Sequence, residues 1–215
     1  MRKLAVWLGL LVTPWWLFTV LLFGELQPGY SHLYQAASEL GAFGASHPLA
    51  MNLLCFFLTG ACVALTGWAF ADYLRSRQES RAAGWWLVAL GVMLAGAAVP
   101  ADMELYFQSP WTRVHAFFVL LGVVPFLVAS WLTDRVLKRL GAASGFLTWF
   151  PWLIVPAFLL HGFLSQGGLV QRLTILIVLL WVSALSWHLI KRRSPADPAI
   201  QRLPAPAGMP PNRAR

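Results

Sequence analysis

Charge is what this 215-residue chain has least of. Only 11% of its residues are Asp, Glu, Lys or Arg, against about 25% in a soluble domain, while 59% are hydrophobic. A surface so poor in charge does not stay dissolved, which excludes a soluble globular fold. Acidic residues are the scarcer sign, with 8 against 16 basic ones and a net charge of +8. The excess does not point to nucleic acid, because the basic residues sit in short connections between apolar runs and never interleave with exposed aromatics on one segment. Cysteine is nearly missing. Cys55 and Cys62 lie seven apart inside one apolar run, on one helix face, and suggest neither a disulfide framework nor a paired-cysteine metal motif. The five histidines include no H-x-x-x-H or H-E-x-x-H spacing, which leaves a zinc-protease type of site without its signature.

What the chain has instead is apolar length. Six runs, at about residues 4–24, 49–71, 82–100, 114–132, 147–164 and 169–190, approach the roughly 20 residues needed to cross a hydrocarbon layer. They lack the alternation of barrel strands, so only helices satisfy their backbones in lipid. The first run follows Met1-Arg2-Lys3 like a signal peptide. It is too long for a signal core, however, and ends without a small-x-small cleavage site, so it reads as a retained helix. The expected fold is an all-α integral membrane protein with six transmembrane helices, occupying residues 1–193 as one domain without internal repeats. From Ser194 onward the composition turns to Pro, Ala and Arg, which predicts a disordered tail over 194–215.

Basic residues set the orientation. Of the 16, 14 fall at the two termini and in the connections near 75–81 and 135–139; only Arg113 and Arg172 fall on the other side. The positive-inside rule places both termini in the cytoplasm of a bacterial or archaeal cell, with the protein in its cytoplasmic membrane.

The outward side carries most of the remaining polar groups. Its first connection, about residues 25–48, is far longer than a minimal link between neighbouring helices. Its centre, Tyr30-Ser31-His32-Leu33-Tyr34-Gln35-Ala36-Ala37-Ser38-Glu39-Leu40-Gly41-Ala42, is amphipathic and aromatic. That pattern predicts a short segment lying on, or dipping into, the membrane surface. On the same side, Asn52 opens helix 2, Asp102 follows helix 3, Arg113 and His115 open helix 4, His161 ends helix 5 and Gln171-Arg172 open helix 6. Each alone serves as a helix-end or interfacial residue. Together they point to a polar pocket, because ionisable groups at membrane depth are costly.

Taken in order, these residues carry a resemblance. Ser38-Glu39-Leu40-Gly41, Asn52 and Gly60, Pro100 and Asp102, His115, and Gly168 followed by Gln171-Arg172 before a run bearing Trp181 resemble the prokaryotic membrane family catalogued as domain of unknown function 998, over about residues 4–190. More remotely, the Ser-Glu-Leu-Gly segment before helix 2 is similar to one in the eukaryotic Frag1/DRAM/Sfk1 group, one branch of which is linked to remodelling the lipid of GPI anchors. That likeness implies lipids as a substrate class by analogy of fold and motif.

Two functions fit this reading. In the first, the protein is a lipid-modifying hydrolase or transferase at the outer leaflet. His115 would be its base, Asp102 the orienting carboxylate and Ser38 the nucleophile, with Glu39 beside them. Arg113 or Arg172 would anchor a headgroup, with Asn52, His161 and Gln171 on the substrate side. A metal-assisted variant would place His115, His161 and Asp102 or Glu39 around zinc; a haem ligated by His115 and His161 is the weaker thought. In the second, the protein binds lipids or small molecules without chemistry, as an accessory subunit or transporter. The sequence identifies no metal or cofactor and no oligomeric state; membrane lipids are the expected partners. Pro125 and Pro156, both mid-helix, predict kinks that could open an internal cavity.

The basic-residue split generates a direct expectation. A reporter active only outside the cytoplasm should be active when fused after Gln35 or Gln108 and silent after Gln78 or Gly141. The opposite pattern would invert the whole assignment.

Overall fold

The computed structural model describes residues 2–160 and 167–192. His161 and the tail expected over 194–215 lie outside them. The described residues form six helical rods and no strand: α1 (Arg2–Leu26), α2 (Pro48–Ser76), α3 (Ala82–Gly96), α4 (Pro110–Arg139), α5 (Gly145–Leu160) and α6 (Gly167–Arg192). Four of them, α1, α2, α4 and α6, are long and apolar enough to cross a membrane; α3 and α5 are apolar but shorter. The chain is thus a multi-pass membrane protein. Apolar residues coat its outside as well as its core, from Leu4, Trp7 and Leu11 on α1 to Leu169 and Trp187 on α6, as expected where lipid replaces water as the solvent.

The rods form a closed ring in chain order. Each helix packs against its neighbours in sequence, and α6 returns to pack against α1. The tightest seam joins α2 to α3. There Gly60 meets the backbone of Gly91 and Ala95, and Gly67 and Gly84 repeat the approach about two helical turns along. Small residues at such spacing let two backbones touch, and contact between backbones replaces the hydrophobic drive that lipid does not supply. A hydroxyl pair, Thr13 and Ser183 at 2.8 Å, ties α1 to α6, and Thr66 Oγ1 donates from α2 to the Ala5 carbonyl of α1.

Irregular backbone interrupts three of the helices. The first six residues of α2 after its opening turn, Asn52–Phe57, form a π-helical stretch, and the Leu54 carbonyl inside it accepts the Trp15 indole N–H at 2.9 Å. α4 is interrupted at Gly122, between Pro110–Leu121 and Val123–Arg139. Pro125, three residues on, has no N–H to return to that break. α5 passes through a 3₁₀ turn over Phe150–Leu153 before Ile154–Leu160, with Pro151 and Pro156 removing two donors.

The end of the ring where α1 gives way to α2 carries the long first connection, and we term it the loop end. The connection becomes helical only over Ala37–Gly41, as a 3₁₀ segment whose Ala37 and Leu40 are buried. It therefore dips into the bundle. Phe43 N–H donates to the Ala101 carbonyl of the third connection at 2.9 Å, which joins the two connections. At the opposite end, Arg139 pairs with Glu79 at 3.5 Å and Arg192 donates to the Gly141 carbonyl at 3.5 Å.

The α2–α3 seam tolerates no bulk. A Cβ on Gly60 would lie 2.3 Å from the Ala95 nitrogen, whereas one on exposed Gly145 would meet nothing within 4 Å. Gly60→Val should therefore lower stability by about 3 kcal/mol and cut the yield of monodisperse protein. Gly145→Ala should change stability by no more than about 0.5 kcal/mol. Thermal melts in detergent compare the two.

Candidate functional site: a clasped loop over an apolar cavity

α6 begins by holding the long loop. The N–H groups of its first turn have no partners within their own helix, and here two of them donate to the loop: Gly168 to the Tyr34 carbonyl at 3.2 Å and Leu169 to the Leu33 carbonyl at 2.9 Å. Position 168 must be glycine for this approach, since a Cβ would fall 2.2 Å from the Gln35 oxygen.

Arg172 lies one turn on, and the two terminal nitrogens of its guanidinium hold the same loop, while its Nε is buried without a hydrogen-bond partner. Nη1 donates to the carbonyls of Gln35 and Gly168, both at 2.8 Å. Nη2 donates to the Tyr30 hydroxyl and to His32 Nδ1, the latter at 3.2 Å. The ring of Tyr30 lies under the cation, 5.6 Å from its centre. Gln171 completes the clasp: its Oε1 accepts the Ala37 N–H at 2.7 Å, and its Nε2 donates to Ser38 Oγ at 3.4 Å. Glu39 stabilises the loop from within, accepting from the Ala36 N–H at 2.8 Å and from Gln35 Nε2 at 3.1 Å. Asn52 closes the far side by donating to the Gly41 carbonyl at 2.8 Å.

Beneath the clasp lies a cavity of about 190 Å³ in the middle of the ring, with every helix contributing a wall. Trp16, Phe56, Leu94, Phe118, Ile154 and Val178 represent α1 to α6 in turn. The irregular backbone borders it: Cys55 and Phe56 come from the π-helical stretch, Gly122 and Val123 from the break in α4. Its few polar walls are Ser38, Thr59, His115, Gln171 and Thr174, together with the Cys55 thiol. No Asp, Glu, Lys or Arg lines it among the described residues.

His115, 8% exposed, is held in this wall. Its Nδ1 lies 2.9 Å from the Val99 carbonyl, the Ala97 carbonyl is also close to the ring, and the edge of Phe56 meets it at 6.3 Å between centres. A carbonyl only accepts, so Nδ1 carries the proton, and in the neutral ring Nε2 is left as a bare acceptor. Among the described residues Nε2 has no hydrogen-bond partner. Thr59 Oγ1 is buried without a partner in the same wall, in a residue only 2% exposed.

The structure thus sorts the expected site residues. Ser38, His115 and Gln171 share the cavity; Glu39, Gln171 and Arg172 share the clasp; Asn52 holds the loop's exit. Asp102 is turned elsewhere. Its Oδ1 accepts the N–H groups of Glu104 and Leu105 at 3.1 and 3.0 Å, while its backbone exchanges hydrogen bonds with Thr112. It makes no hydrogen bond or ion pair with His115. Arg113 is exposed and donates to the Gln108 carbonyl at 3.1 Å. His161 lies outside the described residues, and among these no three of His, Cys, Asp and Glu come together as metal ligands. Sequence reasoning did not single out Tyr30, His32, Gln35 or Thr59 for this site. Thr59 could have been found from helical spacing, seven residues after Asn52 on the same face. The partners of Arg172 could not, because they depend on a loop about 140 positions away.

The family model for proteins of unknown function DUF998 matches residues 10–188. The chain belongs to this family. No curated protein and no solved structure matches it, so the more remote likeness to the Frag1/DRAM/Sfk1 group has no match behind it.

The clasp has a pH signature. Burial, reinforced by the neighbouring Arg172 charge and opposed by Glu25, pulls the His32 pKa below its ordinary 6.5. Above about pH 6.5 the ring is neutral in both folded and unfolded chains, and it accepts from Arg172. As pH falls through that value the unfolded chain takes up the proton first, so stability is lost on acidification. The drop in melting temperature between pH 7.5 and 5.5 should therefore be larger in the wild type than in His32→Gln, which keeps an acceptor that does not titrate.

Proposed function

For this member of the DUF998 family, we propose that the protein binds the end of a membrane lipid inside the helical ring, with the lipid's polar group beneath the clasped loop and only the adjoining part of its hydrocarbon chain in the cavity. The observation that carries the reading is the cavity itself, which is apolar on nearly every side and polar only where Ser38, His115 and Gln171 meet. Ligand sites have this composition, with apolar walls and a few placed polar groups. Access from the bilayer is supported by the walls contributed by α4 and α5. Val119, Leu120 and Phe158 line the cavity and are also 42%, 52% and 43% exposed on the outside of the ring, so the void approaches the lipid-facing surface between these two helices.

All six helices cross the membrane in this reading. α3, with 15 residues, covers about 22 Å as a helix. It is flanked on both sides by the longer α2 and α4, and the turns after it reach the loop end. With 14 of the 16 basic residues at or near the opposite end or in the tail, the loop end faces outward from a prokaryotic cytoplasmic membrane and both termini lie inside.

A lipid-modifying reaction is the second reading, favoured by Ser38 and His115 lining one cavity. It would have to proceed without Asp102 orienting His115, since the Val99 carbonyl holds that ring nitrogen. An enzyme would leave an accumulated precursor in the lipids of a deletion strain; a binder would not.

The binding reading predicts lipid retained through purification. Protein extracted in mild detergent should carry co-purifying lipid, detected by mass spectrometry of the organic extract. Leu94→Trp, which fills the cavity from α3, should reduce that lipid at least about fivefold while the protein stays monodisperse. Equal lipid in both proteins would place binding elsewhere.

A further inference from the structure

We infer that the lipid held in this cavity is a neutral one with a free hydroxyl, which donates its proton to His115 Nε2, and not a lipid with a phosphate head. This rests on the cavity being a lipid site, as proposed above, and it narrows the chemistry of that site.

The first argument is charge. A phosphate or carboxylate carried under the loop would need a cation or a group of N–H donors within reach. The two basic residues at this end do not supply them. Arg172 has both terminal nitrogens committed, to two carbonyls, a phenol and an imidazole; its Nε is buried without a hydrogen-bond partner, but the residue does not line the cavity. Arg113 is exposed and reaches the Gln108 carbonyl. An anion moved from the headgroup region into these walls would lose its hydration without a counter-charge, and such a transfer is strongly unfavourable.

The second argument is hydrogen-bond sense. Because Nδ1 donates to the Val99 carbonyl, the neutral ring offers an acceptor at Nε2, which a hydroxyl satisfies and an ether or ester oxygen does not. Thr59 Oγ1, also without a partner in this wall, and the Ser38 hydroxyl can accept or donate, so they accommodate the oxygen's remaining sites. A hydroxyl on a hydrocarbon chain, as in a long-chain alcohol, a prenol or a partial glyceride, matches both the polarity and the donor requirement.

Three probes with one oleyl chain separate the possibilities: oleyl alcohol, its methyl ether, which lacks the donor, and oleyl phosphate, which adds charge. Binding is measured by ligand-dependent shifts in melting temperature and by equilibrium competition on the full-length protein in detergent. The alcohol should bind about tenfold more tightly than either analogue, the scale of one buried hydrogen bond made or left unmade. His115→Phe should remove that preference while leaving ether binding within about twofold. Tighter binding of the phosphate would overturn the neutral-lipid inference and leave lipid binding standing. Equal binding of alcohol and ether by the wild type would overturn the role of His115, whether or not His115→Phe folds. If none of the three probes bound, both this inference and the lipid-binding reading on which it rests would fall.

Discussion

Inside a bilayer no water completes an unfinished hydrogen bond, so every backbone N–H and C=O at that depth must find a partner in the protein. Regular helix meets this demand unaided, and most of the ring is regular helix. Where the backbone departs from it, the departures require neighbours. The π-helical stretch of α2 has its Leu54 carbonyl covered by the Trp15 indole, and the opening N–H groups of α6 are covered by the carbonyls of Leu33 and Tyr34. Satisfying these groups is costly in organisation, and the return is shape. The π-helical stretch and the break at Gly122 both border the cavity. Straight helices packed like α2 on α3, glycine against glycine, would leave no such space.

The same constraint explains why the guanidinium of Arg172 is found among carbonyls and not beside a carboxylate. Its partners at Gln35, Gly168, Tyr30 and His32 are neutral acceptors, each of which would itself be costly to leave unpaired. One side chain thereby satisfies four groups and fixes the loop over the bundle. Glu39, the nearest acid in sequence to this cluster, is used in the loop's own turn. The polar residues at the loop end therefore divide between holding the lid of the cavity and lining its interior, and only Gln171 and Ser38 take part in both.

Much of this was legible in the sequence, for identifiable reasons. Helix positions follow from apolar length, and the observed rods lie within a few residues of the six runs, extending beyond them where Arg75 and Arg139 reach the polar ends. The clustering of Ser38, Asn52, His115, Gln171 and Arg172 at one end follows from counting which side each connection falls on. What each side chain does there was not legible. Asp102 and His115 sit thirteen positions apart at one end, which suits a shared proton relay as well as it suits two separate turns; the choice depends on rotamers set by the Val99 carbonyl and by the N–H groups of Glu104 and Leu105. The shortness of α3 was also hidden, because Ala, Val and Pro after Gly96 are as apolar as the helix before them.

The ring order carries a consequence for biosynthesis. Helices that neighbour one another in sequence also neighbour one another in space, so five of the six seams can form as each hairpin leaves the ribosome, through local contacts of low sequence separation. The sixth cannot. α1 waits for α6, and the loop waits for Gln171 and Arg172, 134 and 137 positions on from their partners Ala37 and Gln35. Until α6 arrives the chain is an open arc whose polar loop is held only at its exit, by Asn52 and the Ala101 carbonyl, and whose interior faces lipid on one side. Assembly of the site therefore waits for α6, and a nascent chain released before it would display helices but no cavity walled on every side.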